Sequence, residues 1–303
     1  MTKETKEGCI VDNAVIMAAG LSSRFAPLSY EYPKALVEVK GEILIERQIK
    51  QLKEVGIHDI TIVVGYKKEL FYYLADKYDV EIIENLEYRQ RNNHSSLYYA
   101  KDKLANTYIC SADNYFTENV FEKEVNHSYY SAVFHEGETD EWTLETDEDG
   151  LIKDMKIGGE DSWVILGHAF ISERFSNQFV NRLEKIYDYP ETKSMFWENI
   201  YLNHIEELDL YIRKYEKGII YEFDSLDELR EFDESYWVNT RSEILKEIAN
   251  DLNISENKIT KIKPIKNENQ TIGFDFIVNK KAYKYDYESK KTTIKQAKTI
   301  QSL

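Results

Sequence analysis

Residues 13–19 read Asn-Ala-Val-Ile-Met-Ala-Ala, a nearly continuous apolar run that stops at Gly20. A run this short is poor material for a helix but suits a strand buried on both faces of a parallel sheet. Beyond it Ile45, Ile49, Leu52 and Val55 recur at helical spacing, Gly56 closes the pattern, and 60–64 follow as a second apolar strand. The alternation continues with a helix over 71–78, a strand over 80–83, a helix over 95–104 and a strand over 107–111. It predicts an α/β fold, a Rossmann-like doubly wound sheet with helices on both faces. After Asp113 the texture turns antiparallel, so the sheet is expected to be mixed. Strands are predicted over 130–134, 142–145 and 151–157 around Asp149-Gly150, then helices over 175–186 and 193–204. Strands over 208–213 and 219–223 come next, and Ser225 caps a helix with Glu228 three residues on.

The formal net charge of −16 would repel a nucleic-acid backbone or an anionic lipid surface, which sets both aside as main partners. The excess is not uniform, because residues 240–303 hold 13 Lys and Arg against 8 Asp and Glu. This shift predicts a catalytic domain over 1–239 and a small α+β extension over 240–303. The extension reads as a helix over 241–252 and a hairpin, 271–278 with 282–287, turning at Asn279-Lys280. No apolar run is long enough to span a bilayer, and the first ten residues mix lysine and glutamate without an apolar core. Neither membrane insertion nor secretion is expected, which leaves the cytoplasm. Cys9 and Cys110 make no disulfide framework there, and the six histidines have no metal-type spacing.

The first strand runs into Ala18-Ala19-Gly20-Leu21-Ser22-Ser23-Arg24, and Pro33-Lys34 lies just downstream. Small residues let backbone N–H groups approach a triphosphate, while Arg24 and Lys34 supply positive charge. The stretch has neither the three spaced glycines of a dinucleotide fingerprint nor the Gly-Lys-Ser/Thr of a Walker loop. A second cluster, Ser111-Ala112-Asp113-Asn114, sits at the end of a predicted strand, where open α/β sheets place their ligands. A third, 220–225, offers Glu222 and Asp224, which strand alternation would put on one face. Carboxylates from distant strands, completed by substrate phosphates and water, are a usual way to hold Mg²⁺. Read alone, Asp224 is equally a cap or turn residue.

Taken together, the strand, the Ala-Ala-Gly loop with its arginine and the following Pro-Lys resemble the nucleotidyltransferases that make NDP-sugars and CDP-alcohols. Further stretches narrow the resemblance to bacterial CTP:phosphocholine cytidylyltransferases over residues 13–235: 91–98, 112–115, Glu141-Trp142, 196–199 and 221–225. The resemblance implies CTP and phosphocholine as substrates, Mg²⁺ as cofactor held by Asp113 and Asp224, and Lys34, Arg24 and Asp113 as catalytic residues. It assigns nucleotide contacts to Ala18, Ala19, Gly20, Leu21, Ser22, Ser23, Arg24, Asn93, Ser95, Ser96 and Ala112. Glu141, Trp142, Trp197, Glu198 and Glu222 combine rings with carboxylates, which suits a quaternary ammonium. Core packing is the competing reading for each ring, and helix capping for Asn93 and Ser95. Ser22 stands where the family usually has a second glycine, so a side chain must sit where positive φ is often used. The same reaction on phosphoethanolamine, 2-aminoethylphosphonate or a sugar 1-phosphate is the near alternative, and a non-catalytic nucleotide-binding module the distant one. Residues 259–285 resemble the opening strands of a choline or aminoglycoside kinase N-lobe without its catalytic parts; a basic accessory hairpin is the other reading.

Overall fold

The apolar run forms β1 (Asn13–Ala18), whose Val15 and Ile16 are fully buried. The computed structural model describes residues 8–267 and 270–295. The charge-mixed N-terminal stretch up to residue 7, and positions 268–269 and 296–303 of the expected extension, lie outside the described residues. The chain divides into two compact units, Met1–Gly20 with Glu42–Glu222 and Leu21–Gly41 with Phe223–Leu303.

In the first unit α1 (Leu44–Glu54), β2 (Asp59–Val64), α2 (Tyr73–Tyr78), β3 (Glu81–Glu84), α3 (His94–Tyr99) and β4 (Thr107–Ser111) deliver the expected alternation. β5 (Asn114–Phe116) follows at once. Two long strands, β6 (Tyr129–Thr146) and β7 (Ile152–Ile171), then make a hairpin. α4 (Glu173–Ile186), α5 (Trp197–Leu202), β8 (Tyr211–Tyr215) and β9 (Ile220–Glu222) complete the unit. Seven strands form one sheet in the order β8-β6-β7-β4-β1-β2-β3. β1 runs parallel to β2 and β4, whereas β7 lies antiparallel to β4, so the sheet is mixed as predicted. This brings the ends of β1 and β4 side by side, with Met17 opposite Ser111.

Several boundaries differ from expectation for local reasons. The stretch 158–171, read as no strand, completes β7; its polar Gly158-Gly159-Glu160-Asp161 segment hides the period, and Gly158 and Asp161 take positive φ. The helix expected over 193–204 shrinks to α5, because the main chain at 193–195 serves as acceptor for Asn92 and His94. The helix expected over 95–104 ends at Tyr99. The strand expected over 208–213 starts at Tyr211. The strand meant to carry Glu222 and Asp224 on one face stops at Glu222, and Asp224 stands in the bend before the next helix.

The second unit contains α6 (Leu226–Phe232) and α7 (Glu243–Asp251). Ser225 caps α6 by accepting from Glu228 N, as the sequence suggests. Its sheet has four antiparallel strands in the order β10 (Thr260–Asn267), β11 (Gln270–Val278), β12 (Lys281–Asp286) and β13 (Lys291–Ile294), so the expected hairpin is its centre. Phe274, Phe276, Val278 and Tyr285 bury one face. Residues 21–41 belong here too. Tyr30 stacks on Tyr287 with ring centroids 3.7 Å apart, Glu31 accepts from Ile244 N, and Tyr236 donates to Glu38 O at 2.7 Å. The units therefore part at Phe223 rather than at the charge boundary near 239. Arg230 donates to Ile259 O and Glu256 O across that boundary.

Candidate active site

In the second unit the segment after Gly20 builds a cation site. Ser22 takes φ 46° and ψ 45°, the left-handed conformation that its place in the loop demands, and Phe25 N then bonds to Ser22 O at 3.0 Å. A serine here is strained where glycine would not be. Pro33 leads into a single turn, Lys34–Leu36, closed by Val37 N on Lys34 O. The Lys34 side chain is 3% exposed, and a buried ammonium needs a counter-charge. Asp224 supplies one, its Oδ1 3.7 Å from Lys34 Nζ and its Oδ2 2.8 Å from Arg24 Nη1. Arg24 itself is exposed. Arg24, Lys34 and Asp224, far apart in sequence, are thus brought together, while Leu21, Ser22 and Ser23 line the half-buried turn before them.

In the first unit the carboxylate Asp113 sits in the turn between β4 and β5, half-buried. Gln48 of α1, completely buried, brackets that turn: its Nε2 donates to Ser111 O and to Asn114 O, both at 2.9 Å. Ala112 N bonds to Met17 O at 3.2 Å, which ties the turn to β1. Gln48 went unnoticed in the sequence because a glutamine on a helix face carries no motif. Ala18 and Ala19 are buried. A Cβ on Gly20 would meet nothing within 4 Å, whereas one on Gly65 would lie 2.9 Å from Ala19 O and 2.7 Å from the Tyr88 ring. Gly65, not Gly20, is the glycine that close packing at the sheet edge requires.

Among residues 92–96, His94, Ser95 and Ser96 are buried and Asn92 and Asn93 half-buried. Ser95 and Ser96 are buried, and both hydroxyls accept from Asn85 Nδ2, at 2.8 and 3.2 Å. Asn93 Oδ1 accepts from Trp197 N at 2.8 Å and its Nδ2 donates to Glu198 at 3.4 Å. These side chains hold α3 and α5 in place. Asn85 is a further residue that sequence reasoning missed.

Trp197 is 1% exposed and stacks on Tyr130 with centroids 5.3 Å apart, inside the hydrophobic core. For this ring the packing reading describes the structure. Trp142 is half-buried and meets Phe196 edge-on at 6.1 Å, a pair that presents two rings next to one another. Glu198 is 4% exposed and accepts from Tyr130 Oη at 2.9 Å; burial pushes its carboxyl up to about 7. Glu222, half-buried, pairs across the strands with Asn114 and acts electrostatically on Tyr130. Glu141 is exposed beside Trp142.

Among the described residues no group of three or more His, Cys, Asp or Glu could hold a metal by itself. A donor set limited to carboxylates fits a hard ion that takes its remaining oxygens from phosphate and water, as Mg²⁺ does. It does not fit zinc. Among the described residues no helix is long and apolar enough to cross a membrane.

A small-residue loop follows the first strand of the mixed α/β sheet, an aspartate stands at the end of a neighbouring strand, and residues 14–144 match the model of the MobA-like NTP transferase domain, which makes the chain a nucleotidyltransferase. The chain is 39% identical over 221 residues to a choline-phosphate cytidylyltransferase of Streptococcus pneumoniae, spanning 73% of this chain and 96% of that one. It is 38% identical over 234 residues to a 2-aminoethylphosphonate cytidylyltransferase of Lancefieldella rimae, spanning 76% and 95%. The solved CTP:phosphocholine cytidylyltransferase of Streptococcus pneumoniae superposes with a TM-score of 0.71 at 39% identity, over 75% of this chain and 99% of that one. The chain belongs to the cytidylyltransferase group of the nucleotidyltransferase family.

Proposed function

We propose that this protein transfers CMP from CTP to phosphocholine, giving CDP-choline and pyrophosphate. The observation that carries the reading is the pairing of Arg24 and Lys34 on one carboxylate directly after the Ala-Ala-Gly loop. Two fixed cations at that place are what a triphosphate needs. The attacking phosphate is already anionic near neutral pH, so no general base is required, and the residues' task is positioning and charge neutralisation. Arg24 holds the departing β- and γ-phosphates. Lys34, shielded from water, bridges the α-phosphate and the incoming phosphate. Asp113 and Asp224 are the residues that would hold Mg²⁺, which when bound supplies positive charge to the α-phosphate.

The Trp142–Phe196 ring pair and the carboxyls of Glu198 and Glu222 support a cationic alcohol end. The net charge of −16 supports small-molecule substrates rather than nucleic acid, and CTP as donor supports action in the cytoplasm. Pyrophosphate release with CTP and a panel of phosphocholine, phosphoethanolamine, 2-aminoethylphosphonate and glucose 1-phosphate tests the reading. Preference for any acceptor but phosphocholine overturns the substrate, and no release with any of them overturns the reaction.

A further inference from the structure

Glu198 is unusual among the carboxylates of the first unit because it is buried with neutral company alone. Its Oε1 accepts from the Tyr130 hydroxyl at 2.9 Å and its Oε2 from the Asn93 carboxamide at 3.4 Å. Among the described residues no Lys, Arg or His lies within ion-pairing distance of it. Tyr130 comes from β6 and Asn93 from the turn before α3; Glu222 of β9, itself negative, acts on Tyr130. An ionised carboxylate so placed lacks a counter-ion, and that is costly in a dry site. The ionised form of Glu198 thus lacks one compensating positive charge from the described residues.

Resting on the reading that the substrate's alcohol end is a cation, we propose that Glu198 is the proton-exchanging counter-charge of that end. It stands as a neutral acid in the empty protein and surrenders its proton when a cation docks beside the Trp142–Phe196 rings. The step balances: the Glu198 O–H bond breaks, the proton leaves to solvent, and a fixed positive charge takes its place, so the site's net charge is unchanged. Tyr130 and Asn93 act as positioning residues: their two donors favour the ionised form, burial outweighs them in the free protein, and an arriving cation tips the balance. Burial, which lifts the carboxyl to about 7, places the exchange in the neutral range. The arrangement separates ligands by charge: a neutral alcohol end would face an un-ionised acid and gain no attraction, while a cation creates its own counter-ion.

CDP-choline tests this well, because neither its ammonium nor its diphosphate titrates near neutrality, so any proton released on binding comes from the protein. Calorimetric titration of the full chain with CDP-choline, in buffers of different ionisation enthalpy, counts that proton. Release of up to about half a proton is expected at pH 7 and almost none by pH 9, as linkage requires for a group ionising on binding; Glu198→Gln should release none at any pH. CDP-choline that binds with a buffer-independent heat from pH 6.5 to 7.5 overturns the proposal, as does the same release from the Gln variant. Failure of CDP-choline to bind at all sinks the substrate reading instead. Should Glu198→Gln not fold, Tyr130→Phe serves: loss of the hydroxyl donor must move the release window to higher pH, and an unmoved window is equally fatal.

Discussion

Asp224 Oδ2 lies 2.8 Å from Arg24 Nη1, so the carboxylate proposed for the metal already holds the cation proposed for the triphosphate. In the free protein the two neutralise each other. In the proposed reaction Asp224 would serve the metal and Arg24 the phosphates, so this ion pair would be given up when the metal and CTP bind. Asp224→Asn should therefore have effects of opposite sign. Turnover with Mg²⁺ should fall at least ~100-fold, because the cation at the reacting phosphate is poorly held. Binding of pyrophosphate in EDTA should tighten about 2- to 5-fold, the size of one exposed ion pair removed from competition. Weaker metal-free binding in the variant would mean that the carboxylate only holds the loop together.

Lys34 is 3% exposed, and its charge counts most where water is excluded. Lys34→Ala should lower kcat by roughly 100-fold or more while changing CTP affinity less, the pattern of a group used mainly in the transition state. An effect confined to KM for CTP would reduce Lys34 to a docking residue.

Gln48→Leu keeps the volume of a buried helix residue but removes both hydrogen bonds to the Asp113 turn. The expected loss is about 1–3 kcal/mol of stability from acceptors left without a donor, together with a higher Mg²⁺ requirement. Urea melts and a Mg²⁺ titration of initial rates measure the two. Unaltered Mg²⁺ dependence would show that the turn keeps Asp113 in place without Gln48.

Trp142→Leu should cost phosphocholine about 5- to 30-fold in kcat/KM, at ~1–2 kcal/mol for a well-placed ring, and phosphoethanolamine less, since a primary ammonium prefers hydrogen bonds. Phe196→Leu should act in the same direction. Trp197→Leu belongs to another class: its ring is core, so the change should lower the melting temperature before it touches selectivity. Equal losses on both acceptors in the Trp142 variant would remove the ring from substrate recognition.

Glu198 also sets a slope of stability against pH. Its folded value of about 7 stands above the ordinary 4.5, so between those limits the folded state binds more protons than the unfolded. The group's contribution is thus full below the unfolded value and is lost as pH rises toward 7, by about 2–3 kcal/mol from pH 5 to pH 8. Relative to the parent, Glu198→Gln should gain that much over the same interval in denaturant melts. A parallel pH profile for the two proteins would refute it.

The parallel half of the sheet and the loop after β1 were legible because apolar runs, helical spacing and Gly, Pro and Lys at fixed offsets are local signals. Ser22 shows how far such a signal reaches: its place in the loop foretold a left-handed residue, and φ is 46°. What stayed hidden depends on partners distant in the chain. Nothing near Asn93 says that its amide will bind α5, nothing in Trp197 says that its ring will be core while Phe196 meets Trp142, and the end of β9 before Asp224 is set by the capping of α6. The compact units part at Phe223 rather than where the charge changes, and Arg230 and Tyr236, on the acidic side, bond to residues elsewhere in the second unit.

The second unit is assembled from two separated stretches, and this imposes an order in time. A nascent chain can close the seven-stranded sheet once Tyr215 has emerged, but residues 21–41 find Asp224, Ile244 and Tyr287 only later. At about 5–20 residues per second of synthesis, the segment bearing Arg24 and Lys34 waits roughly 10 to 50 seconds for its partners. The loop encoded almost first is among the last parts to mature, and a ribosome-bound chain arrested before Tyr287 should carry a finished sheet with an unfinished phosphate site.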